Sequence, residues 1–159
     1  MELKAFEEKD YNELYDFMKP IWFETYQSII PKKQIEYLLD HYFSTDNIAN
    51  FKLKGYKYYK VLDDGFKGVV VYVENENELY LDKLYFPLIE RGKGYAQGVF
   101  KELLRLGKDI TLNVNQSNER ACRCYLKNGF VIDEEQIIEL EDGMINKDYR
   151  MRLKVSGGN

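Results

Sequence analysis

The hexapeptide Arg91-Gly92-Lys93-Gly94-Tyr95-Ala96 joins two stretches of opposite character. Before it, Glu78–Phe86 alternates like a strand, with Glu78, Tyr80 and Asp82 on one face and Leu79 and Leu81 on the other. After it, Val99, Phe100, Leu103 and Leu104 recur at helical spacing until Gly107. The helix is expected to open at Gly92. Two glycines at such a junction keep side chains out of the way of the backbone N–H groups. A helix start also carries unpaired donors and partial positive charge, so the junction suits an anion such as a phosphate.

The rest of the chain supplies a sheet and further helices. Leu3–Phe6 reads as a first strand. Asp10 is a plausible N-cap for a helix through Leu14, Phe17 and Met18, which Pro20 ends or interrupts with a new turn. Pro31 starts a second helix through Ile35, Leu38, Leu39 and Tyr42. Ser44–Ala49 is a polar connection or short helix. Tyr56–Leu62 and Gly68–Val73 read as strands around an Asp63-Asp64-Gly65 hairpin turn. Beyond Gly107 come a strand, Ile110–Val114, and a helix, Asn118–Asn128, closed by Gly129. Two closing strands, Phe130–Leu140 and Tyr149–Val155, flank an Asp142-Gly143 turn. The order is strand, two helices, three strands, helix, strand, helix, two strands. It predicts an α/β fold with a mixed central sheet and helices on both faces. A chain of 159 residues with no repeat or linker fits a single domain over 1–155 and a loose tail at 156–159.

Composition narrows the partners. A net charge of −4 argues against nucleic acid and suits a cationic partner. No apolar run is long enough for a bilayer, and MELKAFEEKDY has no signal-peptide pattern. Cys122 and Cys124 stand two apart on a helix and point in different directions, which suits neither a mutual disulfide nor a metal site. A reduced, cytoplasmic protein without metal is the expectation. The 14 Tyr, 9 Phe and single Trp exceed what a core needs and suggest a cleft lined with amphipathic rings.

Three phosphate-binding patterns compete for the glycine turn. A P-loop requires Gly-Lys-Ser/Thr, and Lys93 is followed by Gly94. A dinucleotide fingerprint requires a third glycine where Gln97 stands. Arg/Gln-x-x-Gly-x-Gly/Ala fits as it stands. Downstream, Asn118-Glu-Arg-Ala121-Cys-Arg-Cys-Tyr125-Leu-Lys-Asn-Gly129-Phe130 supplies Asn-x-x-Ala-x-x-x-Tyr-x-x-x-Gly-Phe. Together, and with Leu81-Asp82-Lys83-Leu84-Tyr85-Phe86 before the loop, these resemble the GCN5-related N-acetyltransferase (GNAT) superfamily. The resemblance covers Gly68–Phe130 by motif.

That resemblance implies a mostly antiparallel sheet splayed between Glu78–Phe86 and Ile110–Val114, with acetyl-CoA as co-substrate. Backbone groups of Leu84, Tyr85 and Phe86 would meet the acetyl and pantetheine parts. N–H groups of Arg91, Gly92, Lys93, Gly94, Tyr95 and Ala96 would hold the diphosphate. Tyr125 matches the tyrosine that protonates the departing thiolate; a phenol near ~10 can serve a thiolate near ~8.5. Without the surrounding motif, Tyr125 reads as a core residue of an amphipathic helix. Asn118 would contact the cofactor, or cap its helix.

The general base has several candidates. Asn113 stands where some family members carry an acid, and it cannot take a proton. Glu78 lies near the place used by others, but it also adjoins the polar turn at 74–78. Glu24 and a water-mediated base complete the set. His41 reads as surface or structural. The acceptor wall is implied at Trp22, Glu24 and Tyr26, with Asp82 on the polar face of its strand. Trp-x-Glu-Thr-Tyr followed by Pro31 looks like the small-polyamine branch. An aromatic-plus-acid wall fits a small cationic amine or a peptide N-terminus; the same residues could also be the core side of the first helices. The expected activity is direct acetyl transfer in a ternary complex, by a monomer or homodimer. A non-catalytic acyl-CoA sensor and a peptide N-terminal acetyltransferase are the alternatives.

Overall fold

The computed structural model describes residues 1–139 and 143–155. The expected tail at 156–159, and Leu140 and Asp142 of the closing hairpin, lie outside them. The elements run β1 (Glu2–Ala5), α1 (Tyr11–Tyr26), α2 (Lys32–Phe43), α3 (Thr45–Leu53), β2 (Lys57–Leu62), β3 (Phe66–Glu74), β4 (Glu78–Tyr85), α4 (Tyr95–Leu104), β5 (Asp109–Asn115), α5 (Glu119–Lys127), β6 (Val131–Glu139) and β7 (Ile145–Leu153). Among the described residues the strands form one mixed sheet in the order β1-β2-β3-β4-β5-β7-β6. β1–β2, β2–β3, β5–β7 and β6–β7 pair antiparallel, while β4–β5 is parallel.

By contacts the chain divides into two compact units. The first comprises Met1–Tyr72 and Lys83–Tyr95. Its core gathers Leu14, Met18, Ile21 and Trp22 of α1 with Ile35, Leu39 and Phe43 of α2, Ile48 of α3, and Val69 and Val71 of β3. Pro20 does not end α1, which runs unbroken to Tyr26. Proline removes one helical hydrogen bond, but Pro20 is exposed, on the side opposite the apolar stripe, where water can satisfy the freed carbonyl. Burial of the stripe on both sides of Pro20 outweighs that loss. Asp10 precedes α1, but its carboxylate accepts from the Glu7 N–H at 3.1 Å and does not cap the helix. Three helices, not two, separate β1 from β2, because the segment after Ser44 forms α3 around buried Ile48.

The second unit comprises Val73–Asp82 and Ala96–Asn159. Its core includes Leu79 and Leu81 of β4, Val99, Phe100 and Leu103 of α4, Ile110, Leu112 and Val114 of β5, Phe130, and Met151 of β7. The β4–β5 register covers three pairs, Glu78–Asp109, Leu79–Ile110 and Tyr80–Thr111. Both strands continue well past it, β4 to Tyr85 and β5 to Asn115.

Candidate active site

The glycine turn belongs to the first unit. β4 ends at Tyr85, a single 3-10 turn spans Leu88–Glu90, and Arg91 is extended at φ −76°. Gly92 and Gly94 then adopt φ +77° and +84°. The helix therefore opens at Tyr95 rather than Gly92, because neither glycine has a helical backbone. A Cβ at either glycine would meet nothing within 4 Å, so conformation rather than crowding requires them. Left-handed residues just before a helix form the kind of backbone concavity that binds anions. The open space beside these glycines and the helix start behind them fit a diphosphate.

Side chains brace the turn. Arg91 donates through Nε to the Phe86 carbonyl at 3.1 Å and lies 3.7 Å from the Glu24 carboxylate. Glu90 pairs with Lys93 at 3.4 Å and Lys67 at 3.7 Å. Tyr95 stacks on Phe86 at 5.9 Å. Burial, and the nearby Asp63 carboxylate that accepts from its hydroxyl, raise the Tyr95 phenol above its ordinary value. Phe86 itself rests on Gly68: a Cβ there would clash with the Phe86 ring and stand 2.8 Å from the Tyr85 carbonyl.

Of the expected acceptor residues, Trp22, Glu24 and Tyr26 share this unit, whereas Asp82 belongs to the second. Trp22 is a core residue, 4% exposed, with Tyr26, Tyr42, Phe43 and Tyr85 at 5.1–5.9 Å between ring centroids. Its indole Nε1 is buried without a hydrogen-bond partner among the described residues. Glu24 is exposed on the same helix. Lys83, which no sequence motif singles out for a role, places its ammonium 3.8 Å from the centre of the Tyr42 ring. The only signal for it in the sequence is its position on the strand face with Leu81 and Tyr85. His41 packs against Tyr37, Tyr42 and Phe51 on the exposed side of α2.

The second unit holds the other expected residues. Asn118 caps α5, its Oδ1 accepting from the Ala121 N–H at 3.3 Å. Tyr125 lies between Phe100 and Phe130, with centroids at 6.1 and 5.4 Å. Burial pushes its phenol well above the ordinary tyrosine value, and the neighbouring thiols of Cys124 and Cys122 add to the shift. Such a group stays protonated at neutral pH and has a proton to give. Tyr80 contributes in the same direction, which places it close enough to influence Tyr125 electrostatically.

Glu78 is tied into an ion-pair network. Its Oε1 accepts from Arg150 at 2.8 Å and its Oε2 from Arg152 at 3.2 Å. Arg152 also reaches Asp109 at 3.1 Å and Asp133 at 2.9 Å. The Val155 N–H and then Arg152 hold the Asp109 carboxyl below its usual range. Strand alternation places Arg150 and Arg152 on one face of β7, but their partnership with Glu78 depends on sheet order. Asp82 is half-buried further along the same face of β4. Asn113 pairs with Arg150 in the β5–β7 register.

The sheet thus combines a parallel β4–β5 pairing of three residues with a left-handed glycine turn that opens the next helix. The chain belongs to the acetyltransferase (GNAT) family, whose model matches residues 11–130. No curated protein sequence matches it. The PaiA N-acetyltransferase from Thermoplasma acidophilum, solved in complex with coenzyme A, is similar with a TM-score of 0.73 at 19% identity, over 96% of this chain and 98% of its own. The spermidine N-acetyltransferase from Vibrio cholerae, solved with CoA and spermine, has a TM-score of 0.69 at 21% identity, over 98% of this chain and 95% of its own. At these identities the likeness establishes the fold. No helix among the described residues is long and apolar enough to cross a membrane.

Proposed function

We propose that the protein transfers an acetyl group from acetyl-CoA directly to a small primary amine in a ternary complex. The observation that carries this reading is the pair of left-handed glycines, Gly92 and Gly94, set immediately before α4. N–H groups from Arg91 to Ala96 hold the diphosphate, with the helix start adding favourable charge. The backbone of Leu84, Tyr85 and Phe86 orients the pantetheine and acetyl parts, and Asn118 both caps α5 and contacts the cofactor. Tyr125 gives its proton to the departing thiolate; burial keeps that proton in place until it is needed. Glu78 takes the amine proton, directly or through water, while Arg150 and Arg152 fix its orientation. Trp22, Glu24 and Tyr26 of the first unit line the acceptor side. The neighbours' named substrates make polyamines the first amines to try, and a reducing cytoplasm suits the two free thiols.

The test is thiol release from acetyl-CoA with a panel of polyamines, amino acids and short peptides, alongside calorimetric CoA binding. Amine-dependent release supports the reading. CoA binding without turnover on any amine would favour a sensor. Absence of CoA binding would remove both.

A further inference from the structure

Three acids converge on Arg152. Its Nη2 donates to Glu78 at 3.2 Å, its Nη1 to Asp109 at 3.1 Å and its Nε to Asp133 at 2.9 Å. Asp109 is there by register, because it pairs with Glu78 across β4 and β5. Asp133 is there by an irregularity. Ile132 pairs with Met151 and Glu134 with Arg150, so a bulge leaves Asp133 without an opposite residue on β7. Bulges re-aim the side chains they carry, and this one brings the Asp133 carboxylate to Arg152. Of the three carboxylates, Asp133 does most to raise the Arg152 guanidinium above its ordinary value. The next acid on the strand, Glu134, accepts from Gln136 at 3.1 Å instead.

Glu78 thus meets two cations, Arg150 and Arg152, in the company of two further acids, Asp109 and Asp133. The other charges nearby are Asp82 on the same face of β4, Lys108 and Glu74 paired at 3.9 Å, and Lys154, which acts on Asp109. Two unopposed guanidiniums would hold a carboxylate firmly in its charged form. We propose that Asp133 is a positioning residue for Glu78: it competes for Arg152, loosens the grip of the arginines on the Glu78 carboxylate, and so leaves Glu78 better able to take a proton. The inference rests on the acetyltransferase reading above, in which Glu78 takes the amine proton, and adds the group that tunes it.

The full chain, isotope-labelled at the glutamate carboxyl carbons, is titrated with acid and followed by NMR, with Glu78→Gln identifying the Glu78 signal. Asp133→Asn removes the charge and keeps the shape of the side chain. It should lower the Glu78 titration midpoint by about 0.5 pH unit or more, because Arg152 then turns more fully to Glu78 and one repelling charge is gone. Glu134→Gln removes an equal charge from the same strand, but from a residue bonded to Gln136, and should move the midpoint much less. A smaller fall, no change or a rise in Asp133→Asn, or a fall as large in Glu134→Gln, overturns the inference. The measurement needs no substrate. Acetylation can proceed in a protein whose midpoint fails to move, and the midpoint can move in one that acetylates nothing, so failure here is distinct from failure of the acetyltransferase reading.

Discussion

The Phe86 ring and the Tyr85 carbonyl occupy the space that a side chain on Gly68 would need; a Cβ there would lie 2.8 Å from the carbonyl and nearer still to the ring. β3 thus sets the position of the residues that lead from β4 into the glycine turn. Gly68→Ala should destabilise the protein by about 1–3 kcal/mol, since backbone or an aromatic ring must shift to admit the methyl group. The same shift should weaken CoA binding. Thermal melts and CoA titration check this, and an unchanged melting temperature would disprove the steric account.

Gly94 and Gly107 offer a matched comparison. Both have left-handed backbones, at φ +84° and +82°, and a Cβ added to either would meet nothing within 4 Å. Alanine at either position should cost a similar ~1–2 kcal/mol of stability. Only Gly94→Ala should also reduce CoA affinity, because only Gly94 belongs to the turn before α4. Equal loss of CoA affinity in both variants would mean that the effect is general destabilisation.

Tyr125→Phe should lower turnover by about a hundredfold or more and leave CoA affinity nearly unchanged. The folded phenol is raised above its ordinary value. The wild-type rate should therefore not fall through loss of this proton until the pH is well above ~10. The sign for stability follows from linkage. A raised phenol contributes fully below the unfolded value near ~10, and that contribution is lost as pH rises through the folded value. Stability curves of wild type and Tyr125→Phe should therefore diverge only in the alkaline range.

Glu78→Gln tests two roles at once. Removing the charge leaves the Arg150 and Arg152 guanidiniums without their shared carboxylate, and the melting temperature should drop. Adding Arg150→Met should restore part of that stability, as the pair is only partly exposed. Turnover should stay low in the double variant if Glu78 takes the amine proton. Recovery of turnover together with stability would assign Glu78 a structural role.

The backbone of the glycine turn and of the asparagine helix is legible in the sequence, because both are local. A left-handed residue needs glycine, a helix start needs a cap, and Gly92, Gly94 and Asn118 announce both within a few positions. Helix limits are less legible. Pro20 reads as a stop, but the stripe of Leu14, Met18, Ile21 and Trp22 carries α1 past it. The partners of charged and aromatic groups are not legible at all. Arg91 meets Glu24 and Arg150 meets Glu78 across long stretches of chain, and only strand order and helix packing choose those pairs.

The sequence by itself determined the class: a mixed α/β chain of the acetyltransferase (GNAT) family with a glycine turn at Arg91–Ala96 and a tyrosine at 125 on the following helix. These depend on backbone preferences that neighbouring residues dictate. Tertiary structure decided what surrounds them. It put the Lys83 ammonium on Tyr42, buried the Trp22 indole among the rings of Tyr26, Tyr42, Phe43 and Tyr85, and tied Glu78 between two arginines. Charge and hydrogen-bond pairing depend on proximity in space, and no local pattern in the chain encodes it.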